Sequence, residues 1–308
     1  MQIRNYPSFD EYASALGHPS LRLTVLGREV RPWAMGCCVI DSIRIRWARD
    51  GGPCLLEAVI EEHGVGLVTV EAPRKVSGNG VLLGVPSVMI IPGFTEVRAV
   101  SLDTVEWSSV FIPSSRLQIP EEAEARPLPV HVMVSMPAGN QFPSALSRII
   151  TAAMNGAFES NPLGQREAAK HLVEAARELL WPPLRSGTET HHAGRHLIPR
   201  REILHRIYKA LESSYGEILP LDDLAKTAGI SIRTLHNAFI EQTGVSPKRF
   251  VRLRLLNTAR RELLRADPGH TRVVDIAAGL GIWEWGRFAH DYRGLFGELP
   301  SETLRRRS

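Results

Sequence analysis

Three polar side chains in the last third of this 308-residue chain have the types and spacing needed to recognise nucleic-acid bases. Arg233, His236 and Asn237 stand at positions i, i+3 and i+4, so on a helix they share one face. Arg can donate two hydrogen bonds to a guanine edge in the major groove of DNA, and Asn can donate one hydrogen bond to an adenine edge and accept one from it. The alternative is a solvated polar face. We expect the opposite, apolar face of the same helix to be buried: Ile232, Leu235 and Phe239.

The segment that carries these side chains occurs twice. Residues 224–230 are echoed 52 positions on by residues 276–282, and the part after the turn is echoed 53 positions on. The second set of equivalences pairs Leu235, Phe239, Thr243, Gly244 and Pro247 with Phe288, Tyr292, Phe296, Gly297 and Pro300. Each copy is typical of a helix, a glycine-containing turn and a second helix. Two copies with matching offsets indicate two helix-turn-helix units that bind DNA.

A long helix is predicted between the two copies. Ser246 and Pro247 have the residue types of an N-cap and a first-turn residue, and nothing interrupts the helix before Leu264. At about 1.5 Å per residue the helix spans roughly 27 Å, close to the roughly 34 Å of one DNA turn. Its basic residues are candidates for phosphate contacts, with a solvated charged face as the alternative: Lys248, Arg249, Arg252, Arg254, Arg260, Arg261 and Arg265.

These motifs resemble the DNA-binding domain of the AraC/XylS family of transcription regulators over about residues 200–304. Residues from both copies and from the helix between them carry the resemblance: Leu224-Ala225, Gly229-Ile230-Ser231, Leu235, Phe239, Gly244, Ser246-Pro247, Phe250, Arg254-Leu255, Ala259, Leu263-Leu264, Ile276-Ala277, Gly281, Phe288, Tyr292, Phe296-Gly297 and Pro300. The resemblance implies a seven-helix domain with two recognition helices. It also implies double-stranded DNA and RNA polymerase as partners.

Carried over by position, the resemblance places base-edge contacts on Arg233, His236 and Asn237 and near Trp285, Gly286 and His290. The full set of candidate DNA-binding residues adds caps and phosphate contacts: Ser231, Arg233, His236, Asn237, Ser246, Lys248, Trp285, Arg287, His290 and Arg293. The second unit departs from the family pattern, because Trp283 and Trp285 stand where small polar residues are common. We interpret both mainly as packing residues, since an indole buries a large apolar area. The second unit would then hold the DNA backbone through Arg287 and Arg293.

The charge balance differs between the two halves of the chain. Residues 196–308 hold 19 Lys and Arg against 13 Asp and Glu, whereas residues 1–195 hold 18 against 20. A basic helical half is expected if that half meets phosphate. Cys37, Cys38 and Cys54 form no disulfide framework and suit a reducing compartment. Without a signal peptide or a long apolar run, the sequence predicts a cytoplasmic protein.

The first half of the chain has the pattern of a β-domain. Short β-rich runs separated by Gly and Pro predict about eight strands, in a sandwich or barrel: Leu21–Leu26, Cys37–Trp47, Cys54–Ile60, Gly66–Val70, Val81–Leu83, Ser87–Ile91, Glu96–Val100 and Glu106–Ile112. Pro92-Gly93 and Trp107 leading into Phe111-Ile112-Pro113 resemble AraC-type sensor domains. That resemblance implies a cupin-like jelly roll that holds a small ligand.

No catalytic or metal motif stands out in this half. His18, His63 and His131 are scattered, so we expect no metal, no cofactor and no enzyme activity. Four arginines are candidates for binding an anionic effector, either a carboxylate metabolite or a cyclic dinucleotide: Arg28, Arg31, Arg44 and Arg46. The alternative is ordinary surface charge.

Residues 141–182 are predicted to be helical, with two apolar stripes that pack either on the barrel or on a second chain. The resemblance favours dimerisation by this segment. The predicted organisation is α+β: a cupin-like ligand-sensing domain (1–140), a helical dimerisation segment (141–182), a linker (183–198) and an all-α double helix-turn-helix domain (199–308). The predicted function is that of an effector-responsive, dimeric transcription activator. Two alternatives are a cupin-type metabolite enzyme with an accessory basic domain and an architectural DNA-binding protein without an effector.

Overall fold

The computed structural model describes residues 1–18, 20–71, 76–79, 81–83, 87–118, 131–133, 141–186, 206–207, 209 and 220–306. The chain divides into two compact units. The first contains Met1–Leu23, Arg31–Gly51 and Leu56–Arg195, and the second contains Thr24–Val30, Gly52–Leu55 and His196–Ser308. The N-terminal part of the chain is β-rich and the C-terminal part is helical, which confirms the predicted α+β class. No helix in the described ranges is both long enough and apolar enough to cross a membrane.

The strands in the described residues are β1 Ile3–Tyr6, β2 Arg22–Val25, β3 Trp33–Ile40, β4 Ile43–Asp50, β5 Cys54–Ile60, β6 Gly64–Glu71, β7 Val76–Gly78, β8 Val81–Leu82, β9 Val88–Pro92, β10 Thr95–Ser101, β11 Val105–Pro113 and β12 His131–Met133. The accompanying helices are α1 Phe9–Ala15, α2 Ser114–Leu117, α3 Phe142–Met154 and α4 Pro162–Ser186.

The strands form two sheets. One has the order β1-β3-β4-β11-β6-β9-β12, and the other has the order β2-β5-β10-β7-β8. Strand β11 lies at the centre of the larger sheet and pairs antiparallel with both β4 and β6, so Val110 stands opposite Ile45 on one side and Leu67 on the other. The predicted β-rich first half is therefore present as two sheets.

The run predicted as a single strand over residues 37–47 is two strands joined by a tight turn. Asp41 and Ser42 have φ angles of 45° and 69°, and Ile40 pairs with Ile43 across the turn. Two consecutive positive φ angles are the requirement of a type I′ hairpin turn, whose usual sequence is Asn-Gly or Asp-Gly. The pair Asp-Ser lacks the glycine that would have revealed the turn in the sequence.

Side chains that alternate along the strands of the larger sheet contribute to two separate hydrophobic clusters. Val65 and Leu67 of β6 belong to one buried cluster, whereas Val68 and Val70 pack against another. The second cluster includes Ala58 of β5 together with residues of both sheets. Successive side chains of a strand point to opposite faces, so β6 contributes to both clusters.

The apolar stripes of α3 and α4 are buried against the larger sheet of the same chain. Leu146 and Ile149 of α3, and Leu172 and Leu179 of α4, belong to one cluster with Ile45 of β4 and other sheet residues. Leu146, Leu172 and Leu179 are fully buried. The stripes therefore pack on the sheet, which is one of the two alternatives that the sequence left open. The dimerisation that the resemblance favoured gains no support from this surface.

Helix α4 extends to Ser186, past residue 183 where the linker was predicted to begin. Pro182 and Pro183 lack amide protons for the helical hydrogen-bond ladder, but their fixed φ of about −65° is itself helical. Most of the predicted linker, and most of residues 199–219 at the start of the predicted double helix-turn-helix domain, lie outside the described residues.

The described helices of the C-terminal domain are α5 Leu221–Ala228, α6 Ile232–Thr243, α7 Pro247–Arg265, α8 Val273–Gly279, α9 Trp285–Phe296 and α10 Pro300–Arg305. Ser231 and Ser246 cap α6 and α7, because their hydroxyls accept hydrogen bonds from the amides of Thr234 and Arg249. Arg206, Ile207 and Lys209 are also helical. Two short helices, the long helix α7 and a second pair of short helices follow the repeat in the sequence, and the short helix α10 comes after them.

Candidate nucleic-acid interface

Glycines with positive φ set the geometry of both helix-turn-helix units. Gly229 and Gly281, which follow the first helix of each unit, have φ angles of 68° and 71°. Gly244 and Gly297, which end the second helix of each unit, have φ angles of 68° and 78°. Glycine adopts this left-handed conformation without steric cost, so each repeat ends its helices at the same two places. The geometric repeat reproduces the sequence repeat.

The second helix of the first unit, α6, presents the predicted polar face. Leu235, Ala238 and Phe239 are buried in the domain core. Arg233, His236 and Asn237 are all exposed, and none of them has a hydrogen-bond or ion-pair partner among the described residues. Their side chains are therefore free to approach a base edge or a phosphate.

Ile232 does not belong to the buried stripe of α6. It was predicted to face the core with Leu235 and Phe239, but half of its surface is exposed. The i, i+3, i+7 stripe begins with Ile232 at the helix N-terminus, where no preceding turn covers it, and Ala238 fills the core face instead. Exposed Ile232 and Ile240 make this surface partly apolar.

The second helix of the second unit, α9, presents a different surface. Phe288, Tyr292 and Leu295 are buried, whereas His290 and Arg293 are exposed. In the part of the chain that the structure describes, neither exposed residue has an ion-pair or hydrogen-bond partner. These two side chains are the free polar groups of this surface.

Arg287 is less available than His290 and Arg293. Its Nη1 lies 3.3 Å from Oε2 of Glu284 in an exposed pair one turn earlier. Glu284 occupies the N-cap position of α9 but makes no side-chain cap bond. Because exposed pairs of this kind are weak, a phosphate can still compete for Arg287.

The two tryptophans of this unit differ in environment. Trp285 is 43% exposed and lines a mainly apolar cavity of about 300 Å³ together with Phe288, Ala277 and Pro300. Trp283 is 74% exposed. The packing role predicted for both residues thus fits Trp285 in part and is wrong for Trp283, because Trp283 stands in the turn before α9 and is not covered by a neighbouring helix.

The basic residues of α7 divide into exposed and structural groups. Lys248 and Arg249 are exposed next to the cap at Ser246. Arg252 instead pairs with Asp291 of α9. Arg260 is only 3% exposed, and its Nη1 lies 2.6 Å from Oε1 of Glu298. Arg260 was a candidate for a phosphate contact, but its burial makes it a structural residue.

A buried polar network surrounds Glu298. Besides Arg260, its Oε1 accepts a hydrogen bond from Oγ1 of Thr303 at 2.9 Å, and its Oε2 lies 2.7 Å from Nη2 of Arg306. The Tyr292 hydroxyl donates to Thr303 at 2.8 Å. Burial raises the pKa of Tyr292 to about 12. This network joins α7, α9 and α10 and fixes the orientation of the second unit's recognition helix.

The four arginines proposed for an effector have unequal surroundings. Arg28 and Arg31 are exposed. Arg44 donates two hydrogen bonds to the carboxylate of Glu62, at 2.7 and 2.6 Å, and lies over the ring of Phe111. The guanidinium of Arg46 is more buried; its Nη2 donates to the carbonyl of Leu16 at 3.0 Å, and burial lowers its pKa.

Arg46 also has a buried Nε without a hydrogen-bond partner in the described structure. A buried donor without a partner is costly. Of the four candidates, Arg46 is therefore the arginine with an unmet bonding capacity, while Arg44 is already paired. Among the described residues, no three His, Cys, Asp or Glu side chains come together in a way that could hold a metal ion.

Comparisons with known proteins match the C-terminal domain. A family model described as a helix-turn-helix domain matches residues 224–306. The chain is 37% identical over 102 residues to XylDLEGF operon transcriptional activator 3 of Pseudomonas putida, covering 33% of this chain and 31% of that protein. It is 38% identical over 95 residues to the probable thc operon regulatory protein of Rhodococcus erythropolis, covering 31% and 29%. The chain belongs to the AraC/XylS family of transcription regulators.

The aligned part spans about a third of the length of these curated AraC/XylS relatives. Among solved structures, a probable AraC family transcriptional regulator from Rhodopseudomonas palustris CGA009 is 35% identical and covers 34% of this chain and 98% of that chain, with a TM-score of 0.31. The identity of the AraC/XylS domain therefore rests on its sequence and on the repeated unit described above.

Sequence reasoning missed two features of this AraC/XylS domain. The Glu298 network was not predicted because Arg260 is 38 residues from Glu298 in the sequence, and both residue types are common on surfaces. The sequence did contain an indication that Trp283 is exposed, because the repeat offset changes from 52 to 53 positions within the turn that contains it.

Proposed function

We propose that this chain is a sequence-specific DNA-binding transcription regulator that places α6 and α9 in neighbouring segments of the major groove. The observation that carries the proposal is the repeated unit whose first recognition helix bears three exposed side chains without described partners. Arg233, His236 and Asn237 are the residues we assign to base contacts. The names of the related activators support a role in activation, and contact with RNA polymerase is part of the proposal.

The two units have different tasks in this proposal. The first unit recognises bases, because arginine and asparagine can make bidentate contacts that distinguish guanine and adenine. The second unit holds the DNA backbone through Arg293, with His290 beside it. We assign Lys248, an exposed residue next to the capped N-terminus of α7, to a phosphate between the two units.

The test uses the full chain and a duplex selected by it from a random pool, compared with a scrambled duplex of equal length. Arg233→Ala should weaken binding to the selected duplex by about 1–3 kcal/mol, with little change on the scrambled duplex. Arg293→Ala should weaken both complexes and reduce the slope of log K against log salt concentration by about one.

Arg148→Ala is the matched control, since Arg148 is an exposed arginine on α3 of the other unit. It should leave both affinities unchanged. Equal losses on the selected and scrambled duplexes for Arg233→Ala would show that α6 does not recognise bases. Failure of the full chain to enrich any duplex would contradict the proposed function itself.

We further propose that the β-rich unit is a cupin-like sensor for a small anion and that its ligand changes DNA binding. The partly buried guanidinium of Arg46, with its unpartnered Nε, supports an anionic ligand such as a carboxylate or a phosphate. Arg28 and Arg31 stay candidates from the sequence. Dimerisation also stays a prediction, which sedimentation of the full chain with and without DNA can test.

The sensor proposal is tested by the melting temperature of the full chain with succinate, inorganic phosphate or a cyclic dinucleotide. A ligand that binds only the folded state raises the melting temperature. Arg46→Met should abolish the shift, whereas Arg28→Ala combined with Arg31→Ala tests the two exposed candidates. An unchanged shift in both variants would remove all of these arginines except Arg44 from the proposed site.

A further inference from the structure

The turn of the second unit is one residue longer than the turn of the first. The equivalence between the units is 52 positions up to Ile282 and 53 positions from Trp285 onward. The first turn runs from Gly229 through Ser231, and the second runs from Gly281 through Glu284. The extra residue therefore lies in the pair Trp283-Glu284, immediately before the recognition helix α9.

The side chain added there is an exposed indole. Trp283 is 74% exposed, the same fraction as Leu163 and more than any other large apolar residue that the structure describes as exposed. An indole carries a large apolar surface, and leaving it in water forgoes the favourable free energy of burying it. A partner outside the described chain would remove this surface from water.

At the start of α9, no described polar side chain next to Trp283 is without a partner. Glu284 and Arg287 are paired with each other. Gly286 adds no side chain, and no heavy atom lies within 4 Å of the position a Cβ would take there. The free polar side chains of α9 begin only at His290. The leading end of this helix therefore presents exposed indoles beside a charged pair, in contrast with α6, where Arg233 stands two residues after the cap Ser231 and has no partner among the described residues.

The residues at the leading end of a recognition helix are those that approach the base edges in a helix-turn-helix complex. The apolar group exposed on a base edge in the major groove is the C5 methyl of thymine. We propose that Trp283 packs its indole against a thymine methyl group in the DNA segment bound by the second unit. Trp283 thereby selects thymine through an apolar contact. This inference rests on the proposed DNA binding by α9.

The contact also accounts for a division between the two units. Arg233 and Asn237 recognise bases through hydrogen bonds, which discriminate between all four base pairs in the major groove. An indole cannot form bidentate contacts, so the second unit would discriminate only by the presence of a methyl group. His290 and Arg293 on the same exposed side of α9 carry the polar and positive groups that keep the helix on the backbone.

The experiment removes the methyl group without changing base pairing. In the duplex selected by the full chain, each thymine is replaced in turn by deoxyuridine, and the dissociation constant is measured by fluorescence anisotropy. For the unaltered chain, one or two replacements in the second half of the site should weaken binding about fourfold each, the equivalent of about 0.8 kcal/mol for one buried CH₂ group. Trp283→Ala should bind the thymine and uracil duplexes equally.

Two further variants make the result decisive. Trp283→Ser provides a second small side chain should the alanine variant be unstable. Leu163→Ala removes an equally exposed apolar residue of α4 and should keep the full sensitivity to uracil. Normal specificity at the Arg233 positions with no uracil effect in the second half would overturn this inference while leaving the proposed function intact. The same holds if Trp283→Ala keeps the uracil effect.

The alternative partner for the indole of Trp283 is a second copy of this chain. Sedimentation of the free chain distinguishes that case, because a mass that falls on Trp283→Ala would assign the indole to self-association and overturn the thymine contact. If Trp283→Ala leaves the mass unchanged and abolishes the difference between thymine and uracil duplexes, the result supports the thymine contact.

Discussion

Removing the carboxylate of Glu298 should destabilise the second helix-turn-helix unit more than any surface substitution in the domain. Arg260 is 3% exposed and Glu298 is 11% exposed, and their charged atoms are 2.6 Å apart. The same carboxylate oxygen accepts the Thr303 hydroxyl at 2.9 Å. Glu298→Ala therefore deprives a buried guanidinium of this carboxylate and a buried hydroxyl of its acceptor.

The expected cost is about 3–5 kcal/mol, the usual effect of removing one partner of a buried ion pair. The lower end is more appropriate here, since the 11% exposure of Glu298 lets water approach the remaining charge. Glu298→Gln keeps the shape and an acceptor oxygen for Thr303. Its cost should be about 1.5–3 kcal/mol, the value of a hydrogen bond to a charged group.

Hydrogen exchange of backbone amides in the full chain measures this cost locally. The opening free energies of amides in α7, α9 and α10 should fall together, because Glu298 joins those helices, while amides of β4 and β11 should keep theirs. Arg306→Ala is the matched control. Arg306 contacts the same carboxylate but is 53% exposed, so its removal should cost less than about 1 kcal/mol. A loss below about 1 kcal/mol for Glu298→Ala would refute the assignment of this pair as structural.

Two further predictions concern the same domain. Gly281→Ala should destabilise the domain by about 1–2 kcal/mol, because a Cβ at φ 71° is strained. Gly279→Ala, in helix α8, should instead stabilise it by about 0.4–1 kcal/mol. Chemical denaturation measures both changes in the free energy of unfolding, and changes of the same sign would contradict the turn geometry. Tyr292 has a pKa raised from about 10 in the unfolded chain to about 12 by burial, so the folded state keeps its proton longer and loses stability as the pH rises from about 10 to 12. Tyr292→Phe should cost about 1 kcal/mol at neutral pH through loss of the hydrogen bond to Thr303. Between pH 10 and 12 the variant should lose stability less steeply than the unaltered chain. If the two stability profiles run parallel in this window, Tyr292 does not cause the effect.

The helix-turn-helix units could be predicted from sequence because their signals are local and occur twice. A positive φ at Gly229 and Gly281, hydroxyl caps at Ser231 and Ser246, and apolar residues at helical spacing all lie within a few positions of one another. The family resemblance placed the same residues, and the exposed face of α6 follows from the buried stripe of Leu235 and its neighbours. Within that stripe Ile232, at the helix N-terminus, was misplaced.

The β-rich part was less predictable because its elements depend on partners distant in sequence. Strands β5 and β9 follow apolar runs and were predicted closely. Strand β1 has a mainly exposed pattern and exists through its pairing with β3. The apolar stripe of α4 was visible in the sequence, but periodicity does not say which surface covers a stripe, and the covering surface is the larger sheet.

In the proposed function, one scaffold serves two kinds of recognition. Gly281 and Gly297 stand at the positions equivalent to Gly229 and Gly244 and share their positive φ, so corresponding positions of the two second helices face outward although the second turn is one residue longer. The side chains at those positions differ. Gly286 in the second unit stands where the first has Arg233, and the exposed indole of Trp283 is added in the turn before α9. Since the backbone is fixed by the glycines and by the buried Glu298 network, these surface changes alter what the unit contacts without altering how it folds.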